Sequence, residues 1–482
     1  MRISFLLLGL TWFQRGFASS NGHGKPDTWI QDCERNYPDH ETVVHDVVIV
    51  GGGASGTYSA IKLRDMKYTV SLIEQKERLG GHTETYMDLQ DGMTYEYGVI
   101  VFHDSDIVHR YFNRLGIPLM KAASFEREFL FFDFSTGRRA NYTAPDPLTA
   151  ISAYTEQLKK YPYLEDGFDL PDPVPEDLLI PFGEFVRKYD LDDMVRIGFR
   201  YGQGLGDFLQ IPTIYVMKNF GLDIIRNFRS SFLTTARRNN SELYGKAQSE
   251  LGPDVYLKST IISTSRGHPS STGHSVRVLV QTPSGPKLIL TKQLLIAIPP
   301  VMENLQSLDL DSREEKLFSR FQHSYYFSGL LNNTGLLEKR PIQNADSQRP
   351  FALPNLPAVY GFGNTPIPGL VDFKYGAPIG ATQTSTEDVK SAILSTLERL
   401  RQAGDLQFSK TEGEPGFSAF ANHSPFELIV TAEEIRKGFY RQLNELQGYR
   451  DVWWTGAAWH TQDSSLLWQF TETVVNRLVK RL

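Results

Sequence analysis

Val47 to Val50 form an unbroken apolar run that ends in Gly51-Gly52-Gly53. Such a run, bounded by glycine, predicts a strand buried on both faces, as in a parallel sheet. Residues 45–102 go on to alternate helix, strand and turn, and a second apolar strand, "YTVSLIE", closes on Glu74. Residues 105–245 read as mainly helical, broken by "DLPDPVPEDLLIP" at 169–181, whose prolines suit a surface connection. Residues 255–298 change period. "VYLKSTIISTS", "SVRVLVQT" and "KLILTKQLLIAI" are β-rich and are separated by turn residues, which predicts a meander returning to the main sheet. Residues 301–444 are mixed, with helical patterns at 386–403 and 431–446. The final segment predicts a short strand reaching Gly456, then a helix capped by Asp463 or Ser464 with Leu466, Phe470, Val474 and Leu478 on one face.

The glycine run carries the first chemistry. Gly51 permits the tight turn out of the strand, Gly53 lets backbone approach a pyrophosphate, and Gly56 lets the helix pack closely on the sheet. Ala54 and Ser55 then bring N–H groups to the helix start, where an anion is favoured. Glu74 follows Gly51 by 23 residues and can accept hydrogen bonds from ribose hydroxyls; its charge disfavours the 2′-phosphate of NADP.

After the acid comes "QKERLGGHTETY", with a second glycine pair, Gly80-Gly81. This resembles the signature of the FAD-binding amine oxidase and phytoene desaturase superfamily. So do "MTYEYGVIVFH" at 93–103 and "VWWTGAAW" with "SSLLW" near the C-terminus. The resemblance implies FAD as cofactor. It implies contacts from Gly51, Gly53, Ala54, Ser55, Gly56, Glu74, Gly80, Gly81, His82, Gly98 and Gly456, from Ile261 at the adenine, and from Leu466 and Leu467 at the flavin pyrimidine. It also implies that exposed N–H groups at the last helix face the flavin. The fold class expected is α/β: a Rossmann-like FAD-binding domain with parallel sheet and meander, from residues 44–104, 245–300 and 445–482. A second, inserted α+β substrate domain would come from 105–244 and 301–444. Together with "YGQGLGDFLQIPTIYVMKNFG" at 201–221, these motifs look most like secreted fungal oxidoreductases of the β-cyclopiazonate dehydrogenase family, implying oxidation of a small hydrophobic natural product.

The chain departs from an amine oxidase at three places. His82 stands where that pattern has arginine, Ala458 where it has an acid, and Leu466 where it has an aromatic wall, although Trp459 or Trp468 could line the pocket instead. Simple amine oxidation is therefore disfavoured. His82 has three open roles: a hydrogen bond to FAD, a proton shuttle, or covalent attachment. His103 is either structural or pocket-lining, and with His82 it is the catalytic candidate. Tyr97 and Tyr201 are further pocket candidates, and Trp453-Trp454 reads as core. Rival functions are an FAD-dependent isomerase of polyunsaturated substrates, a lyase resembling prenylcysteine oxidases, and a non-enzymatic binding protein.

Composition changes the picture only at its edges. A formal charge of −6 and the lack of a long basic run exclude nucleic acid as an expected partner. Histidine spacing and a single cysteine, Cys33, offer no metal set and no intramolecular disulfide. Residues 1–20 read as a signal peptide: Arg2, an apolar run too short for a membrane span, then Ala18-Ser19-Ser20. Sequons at Asn141, Asn239, Asn332 and Asn422 agree with export through a secretory lumen, although Pro425 follows the last.

Overall fold

Val47 to Val50 are almost wholly buried, and their alternation serves two layers. Val47 and Ile49 pack to one side of the sheet, Val48 and Val50 to the other. This is the burial that a continuous apolar strand requires. The structure is a computed structural model and describes residues 35–122, 128–267, 273–381, 385–411 and 413–482. The expected signal peptide, residues 1–20, lies outside the described residues.

The first sheet is built from β1 (Glu41–Val50), β2 (Val70–Ile73), β3 (Val255–Tyr256), β4 (Thr260–Ser265), β5 (Val276–Thr282), β6 (Gly285–Ile296) and β7 (Val452–Trp454). Its order is β4-β5-β6-β1-β2-β3, with β7 beside the end of β6. β1 runs parallel to β6 and β2, while β4, β5 and β6 form the antiparallel meander. The stretch "VYLKSTIISTS" is not continuous strand. It breaks at Leu257–Ser259, which sends β3 and β4 to opposite edges of the sheet. "MTYEYGVIVFH" is also only partly strand. Thr94–Glu96 pairs with Thr85–Met87, the Tyr97 and Gly98 N–H groups still donate to Glu84 O, and a further bridge forms at Phe102–Leu233.

A second sheet has the order Gly416–Asn422, Tyr325–Asn332, Val371–Ala377, Ala358–Asn364, Ile342–Asn344, Leu130–Asp133, Arg138–Arg139. Leu130–Asp133 lies inside the region read as mainly helical, and pairs in parallel with Ile342–Asn344 about 200 residues later. One sheet thus draws on both stretches that interrupt the first. The helix Thr386–Ala403 covers it with Val389, Ile393, Leu397 and Leu400, as its spacing predicts. Residues 431–446, read as one helix, form two short ones, Ala432–Arg436 and Phe439–Asn444, because Gly438 takes a left-handed conformation between them.

Helices α1 (Ala54–Asp65), α2 (Thr213–Asn219), α3 (Leu222–Ser230) and α4 (Ser464–Leu478) place the site. α4 lies on α1, with Trp468 Nε1 donating to Ala54 O at 3.2 Å and Lys62 paired with Glu472 at 2.7 Å. Its buried stripe is Leu467, Trp468, Thr471, Val474, Val475 and Leu478. Leu466 and Phe470, expected on the core face, are only partly buried. Among the described residues no helix is long and apolar enough to cross a membrane.

Candidate active site

The turn after β1 leaves no room for larger residues. A Cβ on Gly56 would fall 1.8 Å from Gly51 O, so α1 can start this close to the strand only with glycine there. Gly53 caps α1 without any side-chain hydrogen bond, and the Ser55 hydroxyl is buried with no partner among the described residues. At the tip of β2, Glu74 accepts from Gly52 N–H at 2.7 Å and from Lys76 N–H at 2.8 Å. Gly80 N–H donates to Gly52 O at 2.8 Å and draws the second glycine pair over the first. A Cβ on Gly81 would sit 2.8 Å from Gly53 Cα, so this close crossing also needs glycine. Uncapped helix amides, an unpartnered hydroxyl and a carboxylate at the strand end fit a dinucleotide, with pyrophosphate at α1 and ribose at Glu74. Ser259 N–H donates to Glu74 O at 3.0 Å, and Ile261 follows two residues later on β4. The sequence-predicted residues from Gly51 to Gly81 therefore converge.

His82 continues from the glycine pair. Gly98 crosses its backbone so tightly that a Cβ there would lie 2.1 Å from His82 O. The His82 ring meets His423 edge-on at 4.9 Å and stacks on Phe426 at 5.7 Å. Burial, with the Lys76 charge adding to it, pushes its pKa down to about 4, so the imidazole is neutral at pH 7. Burial and then His82 also hold His423 well below the usual histidine range. His423 Nε2 lies 2.8 Å from Ser328 Oγ, and its Nδ1 is buried without a hydrogen bond. His423 escapes a sequence reading because it sits inside the Asn422 sequon; strand alternation turns Asn422 out and His423 in.

His103 packs against the start of α4. It is buried, its Nε2 lies 3.3 Å from Asp463 Oδ2, and its N–H donates to Ser465 Oγ at 3.0 Å. Burial opposes the charge on both partners. Their mutual attraction outweighs it, raising the His103 pKa and lowering that of Asp463. Asp463 also caps α4, accepting from Ser465 N–H at 2.8 Å and Leu466 N–H at 3.1 Å. Leu467 N–H bonds Asp463 O at 2.9 Å. The amides expected to be exposed at this helix start are thus already occupied, because an aspartate cap satisfies them. Trp459 and Trp468 are core residues, not pocket walls: Trp459 stacks on Trp454, and Trp468 lies under α1. Trp453 and Trp454 are core as expected. Tyr201 stacks with Phe220, while Tyr97 hydroxyl donates to Glu84 at 3.3 Å. Gly456 ends β7 with φ +115° and open space beside it.

Beside Asp463 a small cleft of about 30 Å³, open to solvent, separates the helical region from the last motif. Leu158, Leu164, Met217, Ile224 and Leu466 supply apolar walls; Lys218, Asn219, His460 and Thr461 supply polar ones. Asn219 bridges two groups, donating to Glu427 Oε1 at 3.0 Å and accepting from Thr461 at 2.8 Å. Burial raises the Glu427 pKa to about 8, against the pull of Asn219 and Lys218, so it is mostly protonated at pH 7. Lys218, Asn219, Glu427 and His460 belong to no spacing motif. Lys218 alone leaves a trace, as a cation inside the apolar run "TIYVM" to "FG". No group of metal-binding side chains occurs among the described residues.

A Rossmann-type βαβ unit with a meander, joined to a second sheet, defines a flavoprotein oxidoreductase fold of the amine oxidase kind. The fatty acid isomerase from P. acnes superposes with a TM-score of 0.69 at 18% identity, covering 90% of this chain and 98% of that one. A putrescine oxidase triple mutant gives 0.61 at 16% identity, covering 92% and 100%. The family described as NAD(P)-binding Rossmann-like domain matches residues 49–115. Over 437 residues the chain is 38% identical to the FAD-dependent oxidoreductase dbaF of Emericella nidulans, covering 90% of this chain and 91% of the relative. It is 35% identical to β-cyclopiazonate dehydrogenase of Aspergillus oryzae, covering 91% and 94%. The chain belongs to this family of fungal FAD-dependent oxidoreductases: it is an enzyme, and its cofactor is FAD.

Proposed function

We propose that the enzyme oxidises a small, largely apolar organic substrate of secondary metabolism in the cleft beside Asp463. FAD, when bound, supplies the hydride acceptor. Residues 44–104, 245–300 and 445–482 serve as the FAD-binding domain, with Gly51, Gly53, Ala54, Ser55 and Gly56 at the pyrophosphate and Glu74 at the ribose. Gly80, Gly81, His82, Gly98, Ile261 and Gly456 complete that contact set. Residues 105–244 and 301–444 hold the substrate. The observation that carries this reading is the cleft itself: apolar side chains from the helical region face the start of α4 across it. His82, neutral and fixed by its ring contacts, orients what lies against it and is not a strong base. Glu427, mostly protonated, accepts from Asn219 Nδ2 behind the cleft wall and so fixes the Asn219 amide. The relative named a dehydrogenase of β-cyclopiazonate supports a natural-product substrate.

Anaerobic mixing of the yellow enzyme with indole alkaloids, polyunsaturated fatty acids and simple amines tests the class. Rapid bleaching by an unsaturated or heteroaromatic compound, with acceptor consumed in step, is expected. Rapid bleaching by primary amines would restore ordinary amine oxidation, and product without acceptor consumption would establish an isomerase. Export through a secretory pathway is part of the same proposal, resting on the N-terminal pattern and the sequons. Asn141 is exposed. The Asn332 amide is tied to Ser418 at 2.8 Å, which makes it a poorer acceptor.

A further inference from the structure

The acids lining the cleft already have cations. Arg226 pairs with Glu165 and with Asp223, each at 2.8 Å, and His103 pairs with Asp463. Lys218 lines the same cleft and has no carboxylate within ion-pair range among the described residues. Its ammonium has three donors. One goes to Leu164 O and one to His460 Nδ1 at 3.4 Å. The far side of His460 fixes that geometry: Nε2 lies 2.9 Å from Glu165 O, a carbonyl that can only accept. Nε2 therefore carries the hydrogen, and Nδ1 offers its lone pair to Lys218. One donor of the amine has no hydrogen-bond partner among the described residues; the Phe168 ring lies 5.4 Å from Nζ, and the cleft beside it mixes apolar side chains with the paired acids Glu165, Asp223 and Asp463.

We propose that Lys218 recognises an anionic oxygen, carboxylate or enolate, on an otherwise apolar substrate, with His460 as the positioning residue that aims the amine into the cleft. This rests on the cleft being the substrate site. A charge-assisted hydrogen bond in a desolvated pocket provides both affinity and orientation. Burial, opposed by Asp223, Asp166, Glu427 and Glu165, brings the Lys218 pKa down to about 7. An arriving anion would restore its charge, and a neutral isostere would gain nothing from it.

The test is calorimetric titration of the FAD-loaded enzyme with decanoate, with the enolate of 2-hexanoylcyclohexane-1,3-dione, and with decanol, while the flavin spectrum is followed. At least one anion should bind about ten- to a hundred-fold more tightly than decanol. Lys218→Met should abolish that preference. Which anion wins separates a carboxylate site from an enolate site. Equal affinities in the wild-type enzyme, or no binding of either anion, would overturn the role of Lys218 without recourse to any variant. Anion-selective binding that leaves the flavin spectrum untouched would instead place the cleft away from FAD and overturn the proposed function alone.

Discussion

Glu74 spends one lone pair of each carboxylate oxygen on a backbone amide, which fixes its aim and leaves the other pairs for ribose. Glu74→Ala should therefore weaken FAD retention about ten- to a hundred-fold, from the loss of charge-assisted hydrogen bonds worth about 1.5–3 kcal/mol. Unchanged retention after gel filtration would place the ribose elsewhere. His82 makes a second residue-scale prediction. Its folded pKa, about 4, lies below the ordinary 6.5, so the unfolded chain protonates first as pH falls. Stability should hold above pH 6.5 and decline from there towards pH 4, by up to about 3 kcal/mol for this residue. Thermal melts across that range should show a shallower decline for His82→Gln; an identical slope would mean that the ring is not buried as a neutral group. In the same variant FAD occupancy should drop, while reduction per bound flavin stays within about ten-fold. A loss of a hundred-fold or more would mark a general acid or base.

At the scale of the element, α4 begins on one aspartate that performs two tasks, capping two amides and holding His103. Asp463→Ala removes both and should cost about 1–2 kcal/mol in denaturant unfolding. The cost stays moderate because an abandoned His103 can lose its proton and avoid standing as a buried charge. Asp463→Asn keeps the cap and should recover most of that loss. The variants also differ in pH dependence. The raised His103 pKa lends stability below pH 6.5 that disappears as pH rises through its folded value, and Asp463→Asn should erase this component. If Ala and Asn proved equally damaging, the ion pair and not the cap would be dominant.

The whole molecule joins two sheets through helices that pack against both, and the cleft falls where the helical region meets the last motif. Secretion belongs to this scale. The mature protein from its native host should lack residues 1 to about 20 and lose mass on treatment with an N-glycosidase, with Asn141 the first site to map. An intact Met1 on an unglycosylated protein would overturn export.

The sequence by itself determined the features that depend on spacing within some thirty residues: the strand, glycine turn and helix from Glu41 to Asp65, the acid at Glu74, the helix at 386–403 and a cap at Asp463 or Ser464, of which the structure uses Asp463. Each is set by local backbone geometry, hydrogen-bond reach or helical period, which neighbouring residues specify. Only the tertiary structure decided what each candidate touches. His82 meets His423 and Phe426, more than 300 residues away; His103 lies beneath a helix cap and not in the open; Trp459 and Trp468 turn into the core. Lys218 acquires its meaning from His460 and from paired acids on separate segments. Contacts at such separations depend on how whole layers pack, and the identity of a residue does not reveal which partner the fold will bring to it.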